Sequence, residues 1–121
     1  MPIYLISIRS IKIRKILEIL VERPAIAREL AKVIDSDSRN VEPRLKRYFG
    51  KLIVAYKINN MNIYSLKDEA RDVVRQLLES CDSVPCDKYI VVRENEGSMQ
   101  YDILDAKRLI ELIKDEGGRS K

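Results

Sequence analysis

The chain has 121 residues, of which 45% are hydrophobic and 35% charged, and it contains two cysteines and no histidine. This length suits one domain, or one small domain with an appendage, rather than a large enzyme fold. Because histidine is the commonest general base and a frequent zinc ligand, its absence predicts a protein without catalytic residues, metal site or cofactor. No apolar stretch is long enough to span a bilayer and no signal-peptide cleavage site is evident, so we expect a cytoplasmic protein with no membrane partner.

Charge is distributed unevenly along the chain. The residues up to Leu66 include 13 Lys or Arg and 6 Asp or Glu, a net of +7, whereas those from Lys67 onward include 10 and 13, a net of −3; the sum is the overall +4. The basic first half predicts a negatively charged partner such as nucleic acid. A composition with 16 Ile and 2 Gln is typical of proteins from hot, AT-rich organisms and is compatible with a thermophilic source.

The first predicted elements are short. The apolar segment from Ile3 to Ile8 is either a strand or the start of a helix, with Ser10 in position to act as an N-cap. A stripe at helical spacing then predicts a first helix that Pro24 ends near Glu22. The stripe consists of Ile13, Ile16, Leu17, Leu20 and Val21. A short second helix follows, with Ala27, Leu30, Ala31 and Ile34 on one face.

A third helix is predicted after the turn-forming run at 35–38. We expect Arg39 or Asn40 at its N-cap, Pro43 within its first turn, where a missing amide hydrogen costs nothing, and an end near Lys51. Its apolar residues fall in one arc when successive residues are placed about 100° apart. That arc contains Val41, Leu45, Tyr48, Phe49 and Leu52.

Alternating apolar residues on both sides of a polar tip at 59–62 predict a β-hairpin. Val54, Tyr56 and Ile58 precede the tip, and Tyr64 and Leu66 follow it. A fourth helix comes next, with its apolar face formed by Ala70, Val73, Val74, Leu77 and Leu78. Because so small a hairpin is not stable alone, it must pack on the helices, and the sequence predicts an α+β fold.

The last 41 residues, 81–121, are predicted to form a C-terminal extension. Two strands, Tyr89 to Arg93 and Met99 to Ile103, precede a helix from about Asp105 to Glu116 that Gly117 and Gly118 close. This helix is more apolar than a short tail can cover. Either the extension packs on its own domain, adding strands to the segment at 3–8, or the terminal or first helix pairs with its twin in a homodimer.

The order and spacing of these elements resemble a winged helix-turn-helix, in particular the MarR, ArsR and PadR types of archaeal and bacterial transcription regulators. The segments that carry the resemblance, within residues 15–79, are 16–20, Glu29-Leu30-Ala31, Val41 with Leu45 to Arg47, Leu52-Ile53-Val54, Tyr64-Ser65-Leu66 and Lys67 to Arg71. The resemblance implies a three-helix core with a β-hairpin wing over residues 1–80, and dimerisation or partner contact through residues 81–121. It implies a homodimer that binds double-stranded DNA, and it identifies no small-molecule effector.

In such a protein the third helix would enter the major groove, where its N-terminal residues contact base edges. Arginine forms two hydrogen bonds with guanine, and asparagine does so with adenine. We therefore expect base contacts from Arg39, Asn40, Arg44 and Arg47. We expect phosphate contacts from Ser38, Lys46 and Lys51. The hairpin tip would reach the backbone or the minor groove through Lys57, Asn59, Asn60 and Asn62.

The expected function is therefore that of a transcription regulator that reads duplex DNA. The alternatives are that the basic face is merely solvated, or that the fold serves as a protein-interaction module or an RNA binder in a larger assembly.

Cys81 and Cys86, with four residues between them, are open to three interpretations. They are free thiols, a disulfide, or two ligands of a metal site that carboxylates or a second subunit would complete.

Overall fold

The computed structural model describes residues 3–119 and shows, within them, an α+β fold of five helices and two antiparallel three-stranded sheets. The elements are β1 (Ile3–Ile6), α1 (Ile11–Leu20), β2 (Ala25–Ile26), α2 (Ala27–Val33), α3 (Val41–Leu45), β3 (Ile53–Ile58), β4 (Met61–Leu66), α4 (Asp68–Ser80), β5 (Lys88–Asn95), β6 (Ser98–Asp105) and α5 (Ala106–Arg119). One sheet has the strand order β1-β5-β6 and the other β2-β4-β3.

The first helix begins where the sequence predicts. The Ser10 hydroxyl accepts a hydrogen bond from the Ile13 amide at 3.1 Å, which satisfies one of the amides that a helix start leaves without a partner. The apolar stripe of α1 is buried, as is that of α4. Predicted first, second and fourth helices are thus confirmed, and the segment at 3–8 begins as a strand.

Arginine side chains cap the C-terminal ends of α1 and α4 reciprocally. Arg14 of α1 donates to the carbonyls of Leu78 and Cys81 at the end of α4, at 3.0 and 3.1 Å. Arg71 of α4 donates to the carbonyl of Val21 at the end of α1, at 3.0 Å. A cation is favourable at a helix C-terminus because the last carbonyls carry partial negative charge and have no helical partner. These arginines therefore serve the fold.

The third helix is shorter than predicted and is capped elsewhere. The carboxylate of Asp37, rather than a side chain at 39 or 40, accepts a hydrogen bond from the Arg39 amide at 2.9 Å. A 3₁₀ turn at Ser38–Asn40 leads into α3, and a second 3₁₀ turn at Lys46–Tyr48 follows it. The helical segment therefore ends at Tyr48, and Lys51 lies outside it. Gly50, with a left-handed φ of 79°, reverses the chain there.

The predicted apolar arc nevertheless faces the core. Val41, Leu45 and Leu52 are completely buried and Tyr48 is 3% exposed, while Phe49 is half-buried and stacks on Tyr64 with ring centroids 5.7 Å apart.

The hairpin has a tighter tip than predicted. Asn59 and Asn60 have φ of 51° and 66°, and together they form the two-residue connection between β3 and β4. Positive φ at both central residues is the geometry of a type I′ turn, which matches the twist of the flanking strands. Asparagine tolerates this conformation because its short amide side chain bonds locally. Strand β2, which pairs with β4 and completes this sheet, was not predicted.

The second sheet, of β1, β5 and β6, joins the first described strand to the two strands of the C-terminal extension. Ile3 of β1 lies opposite Arg93 of β5, and β5 continues into β6 through a tight turn at Glu96 and Gly97. The extension therefore adds its strands to the first segment, as one of the two predicted arrangements requires. Helix α5 runs to Arg119, so Gly117 and Gly118 lie within it and do not close it.

One apolar core spans both sheets and the helices between them. The Tyr48 hydroxyl crosses it to donate to the Ser7 carbonyl at 2.9 Å, and the Tyr101 hydroxyl donates to the Lys51 carbonyl at 2.7 Å. Cys81 and Cys86, each 5% exposed, are joined by a disulfide with their Cα atoms 5.6 Å apart. The disulfide lies between the end of α4 and the start of β5.

We expect Tyr48→Phe to lower the free energy of unfolding by about 1 to 3 kcal/mol, because it leaves the buried Ser7 carbonyl without its donor. The matched control is Tyr56→Phe, since Tyr56 is 52% exposed and the same oxygen is removed where water replaces it. Chemical denaturation of both variants measures the difference. Equal stability of the two variants would contradict the role assigned to the Tyr48 hydroxyl.

Alkaline pH should destabilise the fold through Tyr101. Burial, with a smaller effect of Glu69, raises the pKa of Tyr101 to about 12, whereas an unfolded tyrosine ionises near pH 10. The stability that this group contributes is therefore complete below about pH 10 and is lost as pH rises through about 12. Between these pH values, the free energy of unfolding, measured by chemical denaturation at each pH, should fall less steeply for Tyr101→Phe than for the wild type. An equal pH dependence of the two proteins would show that Tyr101 does not titrate as described.

Candidate nucleic-acid interface

The polar residues of the stretch 38–47, which we call the basic segment, lie on the surface. Val41 and Leu45 are completely buried and anchor the segment to the core. Between and beside these anchors, every other side chain is exposed. The structure therefore brings six of the predicted site residues together on one short stretch: Ser38, Arg39, Asn40, Arg44, Lys46 and Arg47.

Three cations of the basic segment carry uncompensated charge. Among the side chains that the structure describes, no carboxylate lies within ion-pairing distance of Arg44, Lys46 or Arg47. The one acidic residue of the segment, Glu42, is exposed and pairs with none of them. Neighbouring like charges at a surface raise the local concentration of anions, so this stretch is suited to a polyanionic ligand.

Arg39 and Asn40 are held by local partners instead. The Arg39 guanidinium lies along the carboxylate of Asp37, at 3.2 Å from Nε and 3.0 Å from Nη2, and this pairing holds the pKa of Asp37 below its usual range. The Asn40 amide donates to the Ser36 hydroxyl at 3.1 Å. The Arg39 side chain is 87% exposed, and ion pairs in that much water contribute little, so Asp37 holds Arg39 only weakly.

Lys51 is not part of the exposed surface, although the sequence predicts it as a phosphate ligand. Its ammonium lies 3.3 Å from a carboxylate oxygen of Glu94 and 3.7 Å above the ring centroid of Tyr4. Burial by itself would lower the pKa of Lys51, but contacts with Tyr4 and Glu94 outweigh it and raise that pKa. The side chain is 22% exposed and joins the second sheet to the chain reversal at Gly50.

The hairpin tip lies beside the start of the basic segment. Asn59, Asn60 and Lys57 are exposed, and the tip and Ser38 border one shallow pocket of about 160 Å³. The pocket is lined by Ile26, Ala27, Arg28, Ser38, Asn60, Met61 and Asn62. The structure thus places the hairpin tip next to Ser38, the first residue of the basic segment.

Arg28 is a surface cation that the sequence analysis did not single out. It lies in the first turn of α2, is exposed, and lines the same pocket as Ser38. The helical pattern could have identified Arg28 as a surface residue, because Ala27, Leu30 and Ala31 form the inner face of α2 and leave residue 28 on the outer face.

Within residues 3–119, no group of three or more His, Cys, Asp or Glu side chains is arranged to hold a metal ion. None of the helices in this range combines the length and the hydropathy needed to cross a membrane. Comparisons of the chain with models of known protein families, with curated proteins and with solved structures find no match.

The two lysines near the third helix should behave differently when their charge is removed. Lys51→Met breaks the contacts with Glu94 and Tyr4 and should lower the thermal unfolding midpoint by a few degrees. Lys46→Met, the matched control, changes an exposed side chain and should leave the midpoint nearly unchanged. Thermal unfolding followed by circular dichroism tests this; a larger shift for Lys46→Met would reverse the assignment of the two residues.

Proposed function

We propose that this protein binds double-stranded DNA as a winged helix-turn-helix and regulates transcription. The observation that carries the proposal is the exposed, uncompensated charge of Arg44, Lys46 and Arg47 on a helical segment that buried Val41 and Leu45 hold in place. A rigidly anchored cationic helix with its polar face in solvent suits the major groove of a duplex. The adjoining hairpin would act as the wing.

The order of the elements supports this assignment of roles. Helices α1, α2 and α3 precede the hairpin, and the short strand β2 attaches the hairpin to the region between α1 and α2. In the proposed complex Arg44 and Arg47 contact base edges or phosphates of the major groove, and Lys46 contacts a phosphate. Arg39 joins them once a phosphate replaces Asp37, and Lys57 contacts the backbone from the hairpin.

We propose further that the protein acts as a homodimer in the cytoplasm. Ile110 and Ile113 of α5 are 53% and 57% exposed, which supports a helix that pairs with its twin. A symmetric dimer would place two basic segments on successive turns of one duplex. The disulfide between Cys81 and Cys86 accords with a cytoplasmic protein of a hyperthermophile, because such organisms retain intracellular disulfides.

We expect the double variant Arg44→Ala, Arg47→Ala to reduce duplex affinity by roughly thirtyfold or more, since it removes two contacts with bases or phosphates and each costs about 1 to 3 kcal/mol. The charge-matched control is Lys12→Ala, Lys15→Ala on the exposed surface of α1, outside both the basic segment and the proposed dimer helix. Fluorescence anisotropy with random-sequence duplex DNA measures both variants, and circular dichroism verifies that each is folded. Equal affinity of the two double variants would refute the proposed surface.

The salt dependence provides an independent measurement on the wild type. Five exposed cations, Arg39, Arg44, Lys46, Arg47 and Lys57, would release counterions from about five phosphates, which gives a slope of about −4 to −5 for log affinity against log salt. A shallow slope with equally weak binding to duplex DNA, single-stranded DNA and RNA hairpins would favour a protein-interaction module. A preference for RNA hairpins would favour the RNA-binding alternative.

A further inference from the structure

The hairpin has an apolar face that points away from the core. Residues that lie opposite one another on paired strands share a face, and these pairs alternate between the two faces along the hairpin. Ile53 and Leu66 lie opposite each other on the inner face and are buried. The outer face carries the pairs Val54 with Ser65, Tyr56 with Ile63, and Ile58 with Met61. Five of these six side chains are apolar.

This outer face is most exposed at the tip. Ile58 is 53% exposed and Met61 46%, and the two lie side by side immediately before and after the turn formed by Asn59 and Asn60. Neither side chain belongs to the apolar core. Burial in the core therefore does not account for this apolar pair, although the two side chains contact each other across the strands.

Charge around the tip, rather than on the apolar face itself, favours a polyanion as its occupant. Residues 53–66 include one cation, Lys57, which lies next to the tip on the opposite face of the hairpin, and no Asp or Glu. The tip shares its pocket with Arg28 and with Ser38 at the start of the basic segment. Lys57 also lies on β3, the outer strand of its sheet, where a lysine opposes pairing with the edge of another sheet. The setting is therefore cationic around an apolar tip.

Apolar side chains on a projecting, cationic element have a known use in DNA binding. Isoleucine and methionine are among the residues that enter the minor groove and insert between adjacent base pairs, which unstacks the step and kinks the duplex. The amides of asparagine are among the groups that read the A·T edges of that groove. Asn59, Asn60 and Asn62 flank the apolar pair.

We propose that the hairpin tip enters the minor groove of duplex DNA and that Ile58 and Met61 insert together at one base step, which they unstack. The preferred substrate is A·T-rich DNA that contains pyrimidine–purine steps, because these steps are the easiest to kink. This inference rests on the proposed binding of duplex DNA and adds to it the insertion of the apolar pair, the preferred base composition and the deformation of the duplex. The basic segment, next to the tip, holds the neighbouring major groove of the same duplex.

The test uses the full-length protein and a duplex of about 30 base pairs, long enough for a bent site. The duplex carries 2-aminopurine in a central TA step and a donor and an acceptor dye at its ends. The variant Ile58→Thr, Met61→Thr keeps residues that favour strands but removes the apolar wedge. The matched control is Tyr56→Thr, because Tyr56 lies on the same face, is 52% exposed, and is two cross-strand pairs further from the tip.

With the wild type at saturation, we expect 2-aminopurine fluorescence to rise as the base unstacks and energy transfer to increase as the ends approach. The tip variant should lose both signals, whereas its affinity should fall by less than roughly tenfold because phosphate contacts supply most of the binding. Tyr56→Thr should retain both signals. A G·C-rich duplex should give a smaller fluorescence increase than the A·T-rich one.

Three outcomes would overturn the inference. Duplex binding with neither signal, or with signals that the tip variant retains, would remove the wedge but leave the proposed function standing. A concentration-dependent self-association that Ile58→Thr, Met61→Thr and Tyr56→Thr all abolish would assign the apolar face to a protein contact. Absence of any duplex binding by the wild type would refute both the wedge and the proposed function.

Discussion

The hydrogen bond from Tyr48 to the Ser7 carbonyl fixes the basic segment to the remainder of the molecule. Both residues are almost completely buried, at 3% and 2% exposure, so no water competes for either group. Ser7 directly follows β1, and β1 pairs with β5. Together with the burial of Val41 and Leu45, this bond ties a short, surface-exposed helical segment to the sheet formed by β1, β5 and β6.

This attachment compensates for the shortness of α3. A helix of five residues between two 3₁₀ turns has too few internal hydrogen bonds to be stable by itself. Its side chains at 41, 45 and 48 enter the core instead, so tertiary packing holds the segment in its helical form. The backbone that carries the exposed cations is therefore already ordered, so less conformational entropy would be lost on binding a ligand.

Local signals in the sequence account for what could be predicted. The Ser10 cap, the stripe from Ile13 to Val21 and the alternation around the hairpin each act within a few residues, and the first, second and fourth helices and the hairpin appear in the structure near the predicted positions. The third helix was predicted too long because its periodicity continues to Leu52. That residue is buried, but it reaches the core after a chain reversal at Gly50 rather than on a helix.

The candidate site depends on contacts that no local pattern reveals. The sequence does not distinguish Lys51 from Lys46. The residues that contact the Lys51 ammonium and partly bury it, Tyr4 and Glu94, lie more than 40 positions away along the chain. The proximity of Arg28 and the hairpin tip also arises from the tertiary fold. Composition indicates that the first half is basic, but only the tertiary structure shows that Lys51 has a carboxylate partner in Glu94 of β5.

The pairing of β1 with β5 also orders the events of synthesis. Ile3 lies opposite Arg93, 90 positions later, so at about 5 to 20 residues per second the first strand waits roughly 5 to 18 s for its partner to leave the ribosome. The helices and the hairpin between them make mainly short-range contacts and can assemble during that interval. We therefore expect the basic segment to form on the nascent chain before β1 closes onto β5.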